Sequence, residues 1–143
     1  MSQDSMQERL DELLELLDKL RLANEETPIL VEGERDEAAL RRLGMEGVIL
    51  RVKGADSVFA VCEGVGKAHR KAIILTDWDR GGGHLARLLM DMLGANGVRY
   101  DADFRKSLSR ITKKEVVHVE GLDSYVENLQ LAVVRRPGRG PNA

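Results

Sequence analysis

The chain predicts an α/β fold: a mainly parallel sheet of four to five strands with helices on both faces, in three layers. Three observations point there. Ile29-Leu30-Val31, Val48-Ile49-Leu50-Arg51-Val52 and Ala72-Ile73-Ile74-Leu75-Thr76 are short apolar runs of the kind found in strands buried on both faces. A segment with helical spacing follows each run. Repeated β-α units of this length build a parallel sheet covered on both sides.

Taken in order, residues 6–22 carry leucine at 10, 13, 14, 16, 17 and 20, and the spacing 10, 13, 17, 20 makes one apolar stripe on a leading helix. Thr27-Pro28 closes this segment, because a proline disfavours helix at the residue before it. The stripe fits a short dimerising coil, giving a homodimer through the leading helix, or a helix laid against its own domain. Fewer than two full heptads favour the second, since coiled coils sustain about three or more. After the strand at 29–31, a helix is expected from about Arg35 to Leu43, ended by Gly44. A helix holding Val58, Val61, Cys62 and Val65 follows the second strand, and one from about Gly83 to Leu93 follows the third. Val98-Arg99-Tyr100 reads as a fourth strand, Phe104 to Ile111 as a short helix, Val116-Val117-His118-Val119 as a fifth strand, and Ser124 to Val134 as the closing helix. The organisation is thus a leading helix over 1–27, one domain over 28–134 and a disordered basic tail over 135–143.

A length of 143 residues suits one domain with a single core. Cys62 is the only cysteine, so an internal disulfide and a cysteine-built zinc site are both excluded. No apolar run approaches the ~20 residues that cross a bilayer, and the polar start Met1-Ser2-Gln3-Asp4-Ser5 is unlike a signal peptide. A cytoplasmic protein without a membrane partner is expected. Net charge is −2, but it is unevenly spread: residues 1–28 hold three basic and eight acidic side chains, the remainder nineteen and sixteen. The mildly basic body permits a polyanionic partner without demanding one.

The chemistry concentrates at strand ends. Leu75-Thr76-Asp77-Trp78-Asp79-Arg80-Gly81-Gly82-Gly83 places two carboxylates one residue apart where an apolar strand stops. The first strand also ends on an acid, in Val31-Glu32-Gly33. These ends are neighbours if the sheet runs in the doubly wound order 2-1-3-4, and the gap between them is then the switch point where such sheets bind ligands. Like charges that close are costly unless a cation sits among them. Mg²⁺ prefers oxygen donors and is commonly held by one or two carboxylates plus a substrate phosphate, which suits Asp77 and Asp79. Glu32 completes the metal site or serves as general acid or base. Lys53 and Arg80, near the same edge, are candidates for holding phosphate, as are the backbone amides of Gly81 and Gly82 at a helix start. The run lacks the Gly-Lys-Ser/Thr of a P-loop. Asp36 is expected to be a helix-terminal charge, Trp78 a packing residue, His84 and His118 a surface and a strand residue, and Asp101 and Asp103 solvated loop groups.

With Val31-Glu32-Gly33-Glu34-Arg35-Asp36 and Leu75-Thr76-Asp77-Trp78-Asp79-Arg80-Gly81-Gly82 in place, the chain resembles the Toprim domain. That Rossmann-like module is shared by DnaG-type primases, type IA and type II topoisomerases, overcoming-lysogenization-defect nucleases and RecR recombination proteins. The resemblance covers about residues 28–131 and is similar in particular to small stand-alone Toprim proteins related to the nuclease that matures 5S ribosomal RNA. It implies Mg²⁺, one ion or two with Mn²⁺ as a substitute, held by Asp77, Asp79 and Glu32, with Glu32 also acting as general acid/base. It implies nucleic acid as partner, RNA ahead of DNA, and phosphodiester cleavage or related nucleotidyl transfer as the reaction. Tyr100 and Tyr125 are the only tyrosines and neither has a topoisomerase context. A primase extension is not expected. The non-catalytic alternative is a metal-stabilised module that binds RNA, the ribosome or a protein, with Arg105, Lys106, Arg110, Lys113 and Lys114 as a basic patch. A haloacid-dehalogenase-like phosphatase also uses Asp-x-Asp, but on its first strand, where this chain has Glu32 instead.

Overall fold

The computed structural model describes residues 3–53 and 57–134, with side chains from residue 5 onward. Its sheet has four strands, β1 (Ile29–Val31), β2 (Ile49–Arg51), β3 (Lys71–Ile74) and β4 (Arg99–Asp101). The order is β2-β1-β3-β4 and every pairing is parallel. The helices are α1 (Gln3–Asn24), α2 (Glu34–Arg42), α3 (Val58–Ala68), α4 (Arg80–Ala95), α5 (Asp103–Thr112) and α6 (Leu122–Val134), with a 3-10 turn over Val119–Gly121. The three-layer α/β reading is met, and β1 and β3 are neighbours with β2 outside them, so the connection reverses direction between the two acid-bearing strands. The basic tail expected over 135–143 lies outside the described residues.

Alternation along each strand divides the interior in two, because successive side chains point to opposite faces of a sheet. Ile29, Val31, Ile49, Ile73 and Leu75 join Leu40 of α2 with residues of α1, α5 and α6 in one cluster. Leu30, Val52, Ala72 and Ile74 join Cys62 and Val65 of α3 and Ala86, Leu89 and Leu93 of α4 in the other. Cys62 is fully buried on α3. Among the described residues, no helix is long and apolar enough to cross a membrane.

The leucine stripe of α1 is spent inside the domain. Leu10, Leu13, Leu17 and Leu20 are all buried against the cluster that contains α5 and α6. Arg9 of α1, 8% exposed, reaches Glu115 and donates to the Tyr125 hydroxyl at 2.9 Å, while Tyr125 Oη donates to Glu115 Oε1 at 2.8 Å. At the helix end, buried Asn24 donates to the carbonyls of Thr27 and Val48, each at 3.0 Å, and accepts from Gly47 N–H at 2.8 Å. A Cβ on Gly47 would lie 1.9 Å from the Asn24 carbonyl, which is why glycine stands there. The leading segment is therefore integral to the fold.

The fifth strand does not form. Val116 and Val117 run as irregular chain into the 3-10 turn. Lys113 and Lys114 take left-handed backbone conformations after α5 and redirect the chain. Its carbonyls then find partners outside any ladder: Trp78 Nε1 donates to Val116 O at 2.7 Å and Trp78 N to Val117 O at 2.9 Å. Burial of Val119 within the core supplies the apolar character that periodicity alone reads as a strand. The segment crosses the end of β3 instead of extending the sheet.

Candidate functional site

Both acid-bearing ends belong to the inner strands. Val31 is the last residue of β1, and Glu32 follows it; Asp77 and Asp79 follow β3 after Leu75-Thr76. The Asp77 N–H donates to Glu32 Oε2 at 2.8 Å, so one strand end is tied to the other across the switch point. Glu32 is in turn anchored by its carbonyl, which accepts from Lys53 N–H at 2.8 Å. A cleft of about 410 Å³ opens beside them, lined by Glu32, Asp36, Lys53, Asp77 and Glu120 among others.

Each aspartate has one oxygen held by a backbone donor. Asp77 Oδ1 accepts from Val119 N–H at 2.8 Å, and Asp79 Oδ1 accepts from Gly82 N–H at 2.7 Å as the N-cap of α4. The remaining oxygens converge on His118: Nδ1 lies 3.1 Å from Asp77 Oδ2 and 3.4 Å from Asp79 Oδ2. Donor atoms of Asp77, Asp79 and His118 all come within 4.8 Å of one another. Side-chain exposure is graded from 14% at Asp77 through 38% at Asp79 to 46% at His118, so the group opens to solvent on the histidine side.

Charge follows from this geometry. Burial, reinforced by the Asp77 and Asp79 charges, raises the proton affinity of Glu32 above the ordinary glutamate range, against the opposing pull of the Asp77 N–H. The hydrogen bond to Asp77, with the surrounding carboxylate charge, raises the His118 pKa. Arg105 comes from α5 with its guanidinium inward. It donates from Nε to Thr76 O and Asp77 O, each at 3.2 Å, and from Nη2 to Asp77 O at 2.9 Å. A fixed positive charge thus holds the backbone that carries the aspartates.

The structure redistributes several roles. His118 is not a strand residue: it joins the carboxylate group, and sequence reasoning missed it. The one available signal was an imidazole in a short apolar run, which is weak. The glycines do not form a turn before the helix, because α4 begins at Arg80 and they occupy its first turn. Gly82 is buried, and its amide is taken by Asp79, so it does not serve as a phosphate donor. A Cβ there would sit 1.8 Å from the Asp77 carbonyl, and Thr76 Oγ1 donates to Gly82 O at 2.7 Å. Gly82 is needed for close approach. Gly81 and Arg80 are exposed at the head of α4, and exposed Lys53 lies at the cleft.

Asp36 behaves as expected, accepting from Gly33 N–H at 2.9 Å at the start of α2. Trp78 is a packing residue, 7% exposed. Asp101 accepts from Asp103 N–H at 2.9 Å and faces Lys71. The basic patch around α5 is divided: Arg105 turns inward and Arg110 pairs with Glu12 at 2.7 Å, while Lys106, Lys113 and Lys114 remain exposed.

No family model matches the chain. A solved structure of a protein from Aquifex aeolicus superposes with a TM-score of 0.66 at 27% identity, covering 74% of this chain and 94% of that one. Among curated relatives, a UPF0292 protein of Methanosarcina acetivorans is 37% identical over 123 residues, covering 86% of this chain and 83% of its own length. The UPF0292 protein of Methanocaldococcus jannaschii is 33% identical over 119 residues, covering 83% and 93% respectively. One from Thermococcus onnurineus is 42% identical over 109 residues, covering 76% and 78%. On identity and coverage at this level, the chain belongs to the UPF0292 family.

Proposed function

We propose that this chain is a Toprim-type protein that acts on nucleic acid, RNA ahead of DNA, by Mg²⁺-dependent cleavage of phosphodiester bonds. The observation that carries the reading is the meeting of Glu32 with the Asp77/Asp79 pair across adjacent parallel strands, joined by the Asp77 N–H to Glu32 hydrogen bond. The donor chemistry fits a hard cation: each aspartate has one oxygen fixed by a backbone amide and turns the other toward a shared space. A bound divalent ion supplies polarisation of a phosphoryl oxygen and orientation of the reacting groups.

The chain's own residues supply the rest. Glu32, with its raised proton affinity, is suited to take a proton from an attacking water or return one to the leaving oxygen. Arg105 holds Asp77 and its neighbours in register. Lys53, Arg80 and the Gly81 amide at the head of α4 offer positive charge and an N–H for the phosphate backbone.

The test is incubation of the purified chain with structured RNA and with single-stranded DNA, in Mg²⁺ or EDTA, comparing wild type with Glu32→Gln. The expected outcome is Mg²⁺-dependent cleavage that falls by about 10²-fold or more in the variant, the usual scale of acid–base catalysis. Absence of cleavage on both substrates, with nucleic-acid binding intact, overturns the enzymatic reading in favour of a binding module.

A further inference from the structure

We infer that His118 joins Asp77 and Asp79 as a metal ligand, and that the imidazole makes the site hold first-row transition ions, for which Mn²⁺ is the probe, more tightly than Mg²⁺. The inference rests on the metal-site reading above, in which Mg²⁺ supports the reaction, and concerns which ions the same site holds most tightly. Three features carry it.

The first is orientation. Val119 N–H fixes Asp77 Oδ1 and Gly82 N–H fixes Asp79 Oδ1, so each Oδ2 is the oxygen presented, and both face the same nitrogen. One of these backbone donors lies on the helix that follows β3. The other belongs to the residue immediately after His118. A single stretch of chain thus delivers the imidazole and aims the carboxylate it faces.

The second is spacing. The Nδ1 to Oδ2 separations are 3.1 and 3.4 Å. Two ligands bound at ~2.1 Å and at right angles to each other stand ~3.0 Å apart. Both nitrogen–oxygen separations thus lie near the edge of a coordination octahedron, and the partly exposed histidine side is open for water or substrate.

The third is donor type. Mg²⁺ takes oxygen ligands, whereas imidazole suits the first-row transition metals, so one histidine beside two carboxylates favours those ions over Mg²⁺. Cys62 is buried on α3 among apolar side chains of the other cluster, so no thiolate contributes. Glu32 stands outside the close set, held by the Asp77 N–H, which leaves it for proton transfer instead of ligation.

The experiment uses the metal-stripped full chain, titrated calorimetrically with Mn²⁺ and with Mg²⁺, alongside His118→Gln and Asp77→Asn, with circular dichroism confirming that each variant is folded. Pulsed electron paramagnetic resonance of the wild-type Mn²⁺ complex supplies a reading that needs no variant. The expected result is nitrogen modulation from one coordinated imidazole, and a loss of about tenfold or more in Mn²⁺ affinity in His118→Gln. Mg²⁺ affinity in that variant is expected to change far less, and Asp77→Asn to weaken both ions. Mn²⁺ bound without nitrogen coupling, and with an unchanged Mn²⁺ to Mg²⁺ ratio in His118→Gln, overturns the histidine ligand and leaves a carboxylate-held Mg²⁺ site standing. Failure of wild type to bind either ion, or unchanged binding in Asp77→Asn, overturns both readings.

Discussion

Two adjacent glycines should respond in opposite ways to the same added methyl group. In Gly82→Ala the new Cβ falls 1.8 Å from the Asp77 carbonyl oxygen and 2.5 Å from its carbon, both backbone atoms that cannot rotate away. Ordinary contact needs more than a further ångström, so either α4 lifts from the end of β3 or the Asp77 peptide moves. Overpacking of this kind costs about 1–3 kcal/mol and more where backbone is struck, and the upper end is expected here because Thr76 Oγ1 also bonds Gly82 O. A shift of ~1 Å at a catalytic group is worth about 10²-fold in rate, so under the proposed function cleavage and ion affinity should fall along with stability. In Gly81→Ala the nearest atom is Asp79 Oδ1 at 3.8 Å, an ordinary contact on an exposed helical turn. There the gain in helix propensity, up to about 1 kcal/mol, has nothing to oppose it. Thermal and urea unfolding of both variants decide the matter. At roughly 2–4 °C per kcal/mol for a chain of this size, Gly82→Ala should melt about 6–12 °C below wild type and Gly81→Ala at or slightly above it. Equal stability of the two variants, with ion binding intact in Gly82→Ala, would refute the close-approach argument.

Two further outcomes follow from the same geometry. Leu13→Ala, at a fully buried position on α1, should cost about 3 kcal/mol in a single cooperative urea transition; a second, separate transition for α1 would show it to be an appendage. In the metal-free protein Glu32 and His118 bind protons more tightly folded than unfolded. The native state then carries the extra protons, and stability falls as pH rises, first from the ordinary glutamate range through the raised Glu32 pKa and again from the ordinary histidine range through the raised His118 pKa. Asp36, also raised by burial, adds to the first fall. Chemical unfolding against pH should show Glu32→Gln flattening the first segment and His118→Gln the second; a wild-type stability that rises across both ranges would contradict the assignment.

Much of the site was legible because its parts are local. An apolar run ending in Asp77-Trp78-Asp79, and another ending in Glu32, can be read residue by residue, and burial on both faces explains why such runs are continuous instead of alternating. The leucine stripe of α1 was equally plain, but its partner was not: the same spacing suits a second chain or its own domain, and only the position of α5 and α6 settles which face it meets. Val116–Val119 was misread for a related reason. Apolar content marks burial without saying whether the backbone is paired in a ladder, and the redirecting turn uses Lys113 and Lys114 where glycine or asparagine would have signalled it.

By itself, then, the sequence determined the alternation of strands and helices and the acids placed where strands stop, since each depends on neighbours within a few positions. Tertiary structure alone decided that β1 lies beside β3, that Val119 and Gly82 aim the two aspartates, and that His118 and Arg105 arrive from 41 and 28 residues beyond Asp77. Those contacts are made by segments whose spacing along the chain carries no periodic signal, and they exist only because the packing of α5 and the loop after it brings them to the same end of the sheet.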